Sequence, residues 1–448
     1  MVVMASTVSF SRCAANVFFH VLTRCNLRCR HCYINPEQHG RKRLPIARIE
    51  RWLAIFAERC PGANVVFLGG EPTLHPDLPQ AVRCARRLGF VSITIDTNGY
   101  LFNDILERVS PAEVDVFSFS LDGATPATND GLRGQGSYDT CLEGIRKAKA
   151  KGFHTSLIYT VSRVNLHELP RMGPLLNDLG VERFFIQVLG LRGKAAWTGC
   201  EPDAEEVLRV SPSDWCEKVP AAAEAIARRG VRVIYPKVFL HPGEKFECAG
   251  LVADNYFVFP NGRVYRCPLC EDFPVHSLIF EDDRLVDAPR LNENDFFRLN
   301  IAEGCVMNAL IQPNKSGGRD SVGSDRKIAC CLLKEDIQLS GGSLRLKEGS
   351  ASMGALSLRR RIIALLSKKE MGARELSQEL GIKEKEVYGH LAHVERSASA
   401  SGDRFVLTPS QCLLCGYVFE DRRRLTRPGR CPQCRRSKIQ NPSFRILS

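Results

Sequence analysis

Strand-like and helix-like segments alternate through the first half of the chain, and this alternation constrains the fold more than any other feature. Short runs rich in β-branched and aromatic residues are separated by amphipathic stretches, at a spacing of about 30 residues. The runs are Asn16–Leu22, Asn64–Leu68, Val91–Asp96, Val114–Ser120, Thr155–Val161 and Arg183–Val188. Repeated βα units build a parallel sheet, so we expect an α/β fold, either a partial (β/α)6 barrel or a doubly wound sheet. Both architectures place ligands at the carboxyl ends of the strands.

Composition narrows the cellular setting. The chain has 448 residues and 19 cysteines. It has no apolar run of about 18 residues that could cross a membrane, and no basic segment precedes an apolar signal core. We therefore expect a cytoplasmic protein without a membrane partner, whose cysteines bind metal or iron–sulfur clusters rather than form disulfides.

The positive charge is confined to one end of the chain. Residues 341–448 hold 21 Lys and Arg against 10 Asp and Glu, whereas the remaining residues hold 41 against 40. A Gly/Ser-rich stretch begins this basic tail and is typical of a linker. The sequence predicts five parts: a barrel over 13–240, a Cys-rich α+β extension over 241–340, a linker over 341–355, a winged helix-turn-helix over 356–408 and a zinc ribbon over 409–440.

Three cysteines follow the first predicted strand in the order Cys25-Asn-Leu-Arg-Cys29-Arg-His-Cys32. One loop with this spacing can wrap three thiolates around a small metal centre. A 4Fe–4S cluster held by three thiolates keeps one iron open to a small molecule. A zinc ion would need a fourth ligand, for which His31 is a candidate.

Polar and glycine-rich motifs end the next strands as well. They are Gly69-Gly70-Glu71-Pro72, Thr97-Asn98-Gly99, Ser120-Leu-Asp122-Gly123 and Arg133-Gly-Gln-Gly136-Ser137. Each motif alone is more typical of a turn. Together, at successive strand ends on one face of a barrel, they indicate a ligand site.

With these motifs, residues 13–240 resemble the radical S-adenosylmethionine enzymes. The resemblance implies that Cys25, Cys29 and Cys32 hold a 4Fe–4S cluster whose open iron is chelated by S-adenosylmethionine. It also implies that Gly69, Gly70 and Glu71 receive the methionine amino group, and that Ser120 and Arg133 contact its carboxylate or the ribose. In such enzymes, one electron from a flavodoxin or ferredoxin-like donor cleaves the cofactor, and the resulting 5′-deoxyadenosyl radical abstracts hydrogen from the substrate.

The middle region contains six further cysteines. They are Cys248, Cys267, Cys270, Cys305, Cys330 and Cys331. Asn261-Gly262, between two apolar runs, predicts a hairpin that places Cys248 and Cys267 towards one centre. This resembles the opening half of a SPASM or twitch extension. It implies an auxiliary 4Fe–4S cluster held by Cys248, Cys267, Cys305 and Cys330, with Cys331 or Cys270 as alternative ligands; a structural zinc or buried free thiols are the other interpretations.

The tail begins with three short amphipathic segments, Leu356–Ser367, Ala373–Leu380 and Lys383–Val394, followed by a strand at Arg404–Thr408. This order predicts a helix-turn-helix whose recognition position is taken by 383–396 and whose wing is the strand. A helical protein-interaction domain would show the same pattern.

Four cysteines in two pairs follow the predicted wing. Cys412-Leu-Leu-Cys415 and Cys431-Pro-Gln-Cys434 are separated by 15 residues, the spacing of a structural zinc ribbon. Arginines between and after the pairs could contact phosphates. Residues 356–440 resemble a family of small predicted transcriptional regulators that join a winged helix to a zinc ribbon.

The sequence therefore favours a radical enzyme that acts on a small-molecule or peptide substrate and carries a nucleic-acid-binding tail. One alternative is a DNA-binding regulator whose iron–sulfur domain is a sensor. Another is an RNA-modifying radical enzyme, with the ribbon holding the RNA.

Overall fold

The computed structural model divides the chain into two compact units, 1–343 and 344–448. It describes residues 3–9, 14–190, 192–195, 208–241, 243–288, 291–299, 305, 328–339, 362–363, 365–367, 369–380, 382, 384–385, 387–391, 394, 404–420, 422 and 425–447. No helix among these residues has the length and apolar character needed to span a bilayer. The predicted linker over 341–355 lies outside the described residues.

One sheet contains the strands described for the first unit. They are β1 (Val3–Ser9), β2 (Asn16–Leu22), β3 (Asn64–Gly69), β4 (Ser92–Thr97), β5 (Val116–Ser120), β6 (Thr155–Val161), β7 (Arg183–Val188), β8 (Arg232–Pro236), β9 (Asn255–Val258), β10 (Arg263–Tyr265), β11 (Leu278–Glu281), β12 (Arg284–Asp287) and β13 (Leu333–Leu339). Their order in the sheet is β1-β13-β8-β7-β6-β5-β4-β3-β2-β9-β10-β11-β12.

Helices cover this sheet. They are α1 (Pro36–His39), α2 (Ile46–Arg59), α3 (Leu78–Arg87), α4 (Ile105–Arg108), α5 (Pro126–Arg133), α6 (Ser137–Ala150), α7 (Met172–Asp178), α8 (Pro212–Ala227), α9 (Ala249–Val252) and α10 (Glu293–Phe297). Short 3₁₀ turns lie at Pro72–Leu74, Leu166–Arg171 and Gly193–Ala195.

Strands β2 to β8 are parallel, and their order in the sheet follows the chain. Right-handed crossovers between strands in this order place every connecting helix on the same face. A doubly wound sheet would need a reversal of strand order, which this run lacks. The partial barrel is therefore confirmed, with β8 as a strand beyond the six predicted ones.

Side-chain burial along β4 shows the two faces of the barrel wall. Ile93 and Ile95 are fully buried in the core under the helices, whereas Thr94 and Asp96 alternate with them and are partly exposed. Because successive side chains point to opposite faces of a strand, Thr94 and Asp96 lie on the concave side. The apolar core thus fixes the wall and leaves polar residues on its inner face.

Further strands extend both edges of the barrel. Beyond β8, β13 pairs antiparallel and then carries β1, a strand that precedes the predicted barrel. Beyond β2, β9 pairs parallel and continues through β10, β11 and β12. The predicted hairpin connects β9 and β10, with Gly262 in the left-handed region at φ 90°. The Cys-rich extension is thereby built onto the edge strand β2, which leads into the cysteine loop.

The second unit has its own small sheet and core. Strands β14 (Met371–Gly372), β15 (Arg404–Thr408) and β16 (Ser443–Leu447) are arranged in the order β14-β16-β15, and α11 (Ala373–Leu380) has the bounds predicted for the second helix. The core includes Ile362, Leu366, Leu376, Val387, Leu391 and Phe444. Parts of the predicted first and third helices lie outside the described residues. The cysteine pairs lie between β15 and β16, so the predicted ribbon is an insertion in the connection between two paired strands.

Candidate functional site

The loop that carries Cys25, Cys29 and Cys32 lies at the carboxyl end of β2 and is fastened by backbone hydrogen bonds on two sides. The amides of Gly70 and Glu71 donate to the carbonyl oxygens of Leu22 and Arg24, at 2.9 and 3.0 Å. On the other side, the amide of Arg30 donates to the carbonyl oxygen of Leu132 near the end of α5, at 2.9 Å. The loop is therefore held between the ends of β3 and α5.

The two glycines after β3 are explained by this close packing. A Cβ atom at Gly69 would lie 2.1 Å from the carbonyl oxygen of Leu22, and one at Gly70 would lie 2.2 Å from that of Arg24. Both distances are far below van der Waals contact, so any side chain would push the cysteine loop away. The backbone that approaches these glycines in the structure is the cysteine loop itself.

Gly70→Ala is expected to lower the free energy of unfolding of the first unit by about 1–3 kcal/mol, because overpacking displaces the loop. Gly131→Ala is the matched control. A Cβ there meets no atom within 4 Å, and its position inside α5 predicts a gain of up to about 1 kcal/mol. Urea denaturation of both variants measures the difference; equal effects would contradict the packing account.

The three thiols are partly buried and lie close enough to influence one another. Burial, with added repulsion from Glu71, Cys29 and Cys32, raises the pKa of Cys25 to about 11. The Cys29 sulfur lies 3.9 Å from the carbonyl oxygen of Arg133. Thiolates packed together in this way need positive charge between them, which a metal centre supplies. The donor set therefore fits an iron–sulfur cluster.

Glu71 is fully buried and connects β3 to β4. Its Oε1 accepts hydrogen bonds from the Thr73 amide, the Thr73 hydroxyl and the Thr97 hydroxyl, at 3.1, 2.6 and 2.8 Å. Its Oε2 accepts from the Asn98 amide at 2.8 Å. Burial raises the pKa of Glu71, although these hydrogen bonds oppose the shift. Glu71 thus fixes the strand-end motifs relative to one another.

Asp122, after β5, connects the cysteine loop to α5. It is fully buried, and its Oδ2 lies 2.6 Å from Nε of Arg133 and 3.0 Å from Nε2 of His31. Burial alone would raise the pKa of Asp122, but Arg133 and His31 hold it well below its usual range. The Nε2 atom of His31 is therefore engaged by Asp122, which argues against its role as a zinc ligand. Ser120 lies two residues earlier, at the end of β5, and is partly exposed.

The side chains that connect this loop to the Cys-rich extension follow no sequence motif and were not predicted. The guanidinium of Arg192 lies 4.8 Å from the ring centre of Tyr33, and its Nη1 is 2.5 Å from Oε2 of Glu271. Tyr33 in turn shares a hydrogen bond of 2.8 Å with Nε2 of His20. Because Tyr33 follows Cys32 and Glu271 follows Cys270, this network connects the two cysteine-bearing segments.

The structure gathers the middle cysteines in one neighbourhood. Burial raises the pKa of Cys248 to about 12, with added repulsion from Cys330 and Cys267. Cys267 and Cys270 lie near enough to shift the pKa of each other's thiol, and Cys305 lies near enough to raise the pKa of Cys270. The predicted ligand set and its alternatives therefore share one region, and the choice among them stays a prediction.

The cysteines of the ribbon are arranged as a tetrahedral site requires. Their four sulfur atoms all lie within 4.8 Å of one another. The Cys412–Cys434 and Cys415–Cys431 sulfur distances are 3.5 and 3.6 Å. Zinc–sulfur bonds of about 2.3 Å in a tetrahedron place the sulfurs about 3.8 Å apart, so the observed spacing fits zinc.

The two halves of the ribbon repeat one backbone pattern. In the first half, the Gly416 amide donates to the Cys412 carbonyl at 3.0 Å; in the second, the Arg435 amide donates to the Cys431 carbonyl at 2.9 Å. Gly416 and Arg435 both adopt left-handed conformations, with φ 75° and 56°. Each half therefore needs one left-handed residue directly after its second cysteine.

Gly416→Ala is expected to cost about 1–2 kcal/mol, the penalty for a side chain in the left-handed region. This corresponds to zinc retention weakened by about 5- to 30-fold. Gly429→Ala is the control, because a Cβ at either glycine meets open space and only Gly416 has positive φ. Competition with a chromogenic chelator measures the effect, and an identical result for both variants would refute the conformational argument.

In comparisons with known proteins, each of the two units matches a different family model. The family model of the Radical SAM superfamily matches residues 20–173, and the model described as PF0610-like, N-terminal, matches residues 357–406.

Curated relatives match about 40% to 60% of the chain. A pre-heme d1 synthase of Dinoroseobacter shibae is 32% identical over 181 residues, covering 40% of this chain and 44% of that protein. A probable GTP 3′,8-cyclase of Saccharolobus solfataricus is 30% identical over 269 residues, covering 59% and 82%. A PqqA peptide cyclase of Gluconobacter oxydans is 29% identical over 255 residues, covering 56% and 69%. The chain thus spans less than half the length of the synthase and most of the length of the two cyclases.

Proposed function

Because this chain is an enzyme of the Radical SAM superfamily, we propose that its cysteine loop is the site where S-adenosylmethionine is cleaved. The observation that carries the proposal is the fastened loop at the carboxyl end of β2, with three mutually interacting thiols. Family membership implies a 4Fe–4S cluster and S-adenosylmethionine, and the donor set fits the cluster. Cys25, Cys29 and Cys32 are the proposed ligands.

When bound, the reduced cluster would supply one electron to S-adenosylmethionine and so release the 5′-deoxyadenosyl radical that takes hydrogen from the substrate. The chain's own residues position and shield this chemistry. Gly69 and Gly70 let the loop lie against β3, and Glu71 fixes the neighbouring strand ends. Arg133, held by Asp122, keeps a cation beside the loop, where a carboxylate of the cofactor could be bound.

The relatives' names give one product, pre-heme d1, and two substrates, GTP and a peptide, and we propose only that the substrate of this chain is a small molecule or a peptide. Concave-side residues such as Thr94 and Asp96, which alternate with the buried Ile93 and Ile95, are available to contact it. We further propose an auxiliary 4Fe–4S cluster at Cys248, Cys267, Cys305 and Cys330, with Cys331 or Cys270 as alternatives. The shared neighbourhood of these thiols supports that cluster.

Anaerobic reconstitution, reduction with dithionite and addition of S-adenosylmethionine test the proposed function. The expected product is 5′-deoxyadenosine, measured by liquid chromatography. A fully assembled and reduced cluster that leaves S-adenosylmethionine intact would overturn the proposal.

For the second unit we propose a zinc ribbon in a winged-helix module that binds nucleic acid. Its exposed arginines support this, because no ion pair forms among the described residues of this unit to neutralise them. Binding to duplex DNA and to RNA should weaken steeply as salt rises if these residues contact phosphates. Salt-independent binding would argue instead for a protein-interaction module, and preference for one nucleic acid separates the regulator from the RNA-modifying alternative.

A further inference from the structure

Exposed apolar side chains cluster in the first half of the proposed zinc ribbon. Leu413 and Leu414 are each 56% exposed, and Tyr417 and Val418 are 38% and 36% exposed. These four residues, which we call the knuckle patch, lie within six consecutive positions of the chain. Single exposed apolar residues are ordinary on a protein surface, whereas a contiguous group of them marks a place where a ligand or partner binds.

The knuckle patch is carried by a tightly folded backbone. The Gly416 amide donates to the Cys412 carbonyl at 3.0 Å, and the Cys412 amide donates to the Tyr417 carbonyl at 2.8 Å. A β-bridge also pairs Gln411 with Val418. The segment is therefore closed into one turn, and the four apolar side chains project from a small, fixed area.

An aromatic pair adds a supported ring to the knuckle patch. The ring centres of Tyr417 and Phe419 lie 5.1 Å apart, and the two rings are perpendicular. Phe419 is half-buried, so it supports the exposed ring of Tyr417. Because this contact already restricts the tyrosine side chain, stacking a flat ligand ring on it would cost little further conformational entropy.

Cations of the second half of the ribbon lie beside the knuckle patch. The Leu413 amide donates to the Lys438 carbonyl at 3.0 Å. Arg435 and Arg436 directly follow the last cysteine of the ribbon, whose sulfur lies 3.5 Å from that of Cys412. All three cations are exposed, and none forms an ion pair with another described residue. The apolar knuckle patch therefore has a positively charged border.

This combination of surfaces favours one kind of partner. Residues 412–439 hold eight Lys and Arg against two Asp and Glu, which favours a polyanion. A duplex hides its base faces by stacking and presents phosphates, which apolar side chains do not bind. An unpaired strand offers both surfaces, since its bases stack on apolar and aromatic side chains while its phosphates contact cations. Unpaired bases are common in RNA loops, bulges and ends, whereas DNA is mostly duplex.

We infer that the knuckle patch binds the bases of an unpaired RNA segment, while Arg435, Arg436 and Lys438 contact its phosphates. The inference rests on the nucleic-acid binding proposed for the second unit, and it adds the state of the strand and the side chains that recognise it. A protein with an apolar centre and an acidic rim is the competing occupant of this surface.

The test compares two triple variants of the full-length, zinc-loaded protein that remove the same kinds of side chain. One variant truncates the knuckle patch by Leu413→Ala, Leu414→Ala and Tyr417→Ala. The control truncates exposed apolar residues of the first unit by Leu291→Ala, Leu299→Ala and Phe273→Ala. Fluorescence anisotropy measures the binding of a labelled single-stranded RNA of mixed sequence, of its duplex and of the matching single-stranded DNA. Equal zinc content shows that the ribbon of each variant is assembled.

We expect the knuckle-patch variant to bind single-stranded RNA about 10- to 100-fold more weakly than the wild type, because base stacking is lost. Its salt dependence and its weaker binding to duplex RNA should not change, and the control variant should behave like the wild type. A third variant, Arg436→Gln with Lys438→Gln, removes two border charges. It should weaken the binding of single strand and duplex alike and should flatten the salt dependence.

Unchanged single-strand binding by the knuckle-patch variant would overturn the inference, as would an equal loss of duplex binding. Tighter binding of single-stranded DNA than of single-stranded RNA would overturn it as well. In each of these cases the proposed nucleic-acid binding would stand. A wild type that binds none of the three oligonucleotides would instead refute the proposed function of the second unit and would leave the acidic-rimmed protein as the occupant.

Discussion

Replacing Cys29 with alanine is expected to reduce 5′-deoxyadenosine formation to the background of the uncatalysed reaction. Cys29 lies between Cys25 and Cys32 in the loop. The charges of Arg133, Cys32 and Asp122 all influence the pKa of its thiol. With two thiolates left, a second iron loses its protein ligand, and the geometry that presents one open iron is lost. Iron and sulfide counting, together with product formation, measures the effect.

The matched control is Cys84→Ala. Cys84 is a buried thiol on α3 within the apolar core, so its replacement removes a sulfur without touching the loop. This variant should keep its iron, its sulfide and its product formation, and lose only some stability. If Cys29→Ala retained normal cleavage, or if Cys84→Ala lost it equally, the assignment of the loop would be wrong.

Cys431→Ser is expected to release the metal of the ribbon and to unfold the ribbon. Structural zinc contributes about 10–16 kcal/mol to folding in comparable small modules, far more than an inserted segment gains from its own core. Leu425 is the main residue of the ribbon segment that packs against the described core of the second unit, and it is only partly buried there. Amide exchange across 411–440 should accelerate strongly, whereas α11 should keep most of its protection.

The control for this substitution is Gln433→Ser, two residues away and exposed. It should retain one zinc per chain, normal exchange in the ribbon and unchanged nucleic-acid binding. Cys431→Ser should lose the nucleic-acid binding that depends on the ribbon arginines while dithionite-driven cleavage continues. Retained zinc in Cys431→Ser, or loss of iron together with zinc, would contradict the assignment.

The barrel could be predicted from the sequence because its strands have strong local signals. The bounds predicted for Asn16–Leu22, Thr155–Val161 and Arg183–Val188 are those of β2, β6 and β7. These strands are buried on the helix side, so apolar residues alternate along each of them and the pattern is visible in the sequence. The spacing of Cys25, Cys29 and Cys32 is equally local, since one loop carries all three.

Contacts between distant segments could not be predicted in the same way. The ion pair of Asp122 with Arg133 and His31 needs three separate segments to meet, and no spacing rule connects them. The contact of Arg192 with Glu271 joins residues 79 positions apart. The motif after β5 was a usable signal, because it contains Asp122, but its role depended on which cations the fold would bring to it.

Strand pairing at the sheet edges was missed for a related reason. The predicted barrel begins at residue 13 and so leaves out β1, whose partner β13 lies more than 300 residues away. The predicted tail module ends at residue 440, before β16. Edge strands are short and receive their stability from a distant partner, so local propensity alone does not identify them.

The most direct test of the account is the electron paramagnetic resonance spectrum of the dithionite-reduced protein with and without S-adenosylmethionine. If three thiolates leave one iron open, adding S-adenosylmethionine should change the signal of the cluster held by Cys25, Cys29 and Cys32. Cys29→Ala, in which only the auxiliary cluster would remain, should show no such change. An unchanged wild-type spectrum, or the same change in Cys29→Ala, would contradict the claim that this loop is where S-adenosylmethionine is bound and cleaved.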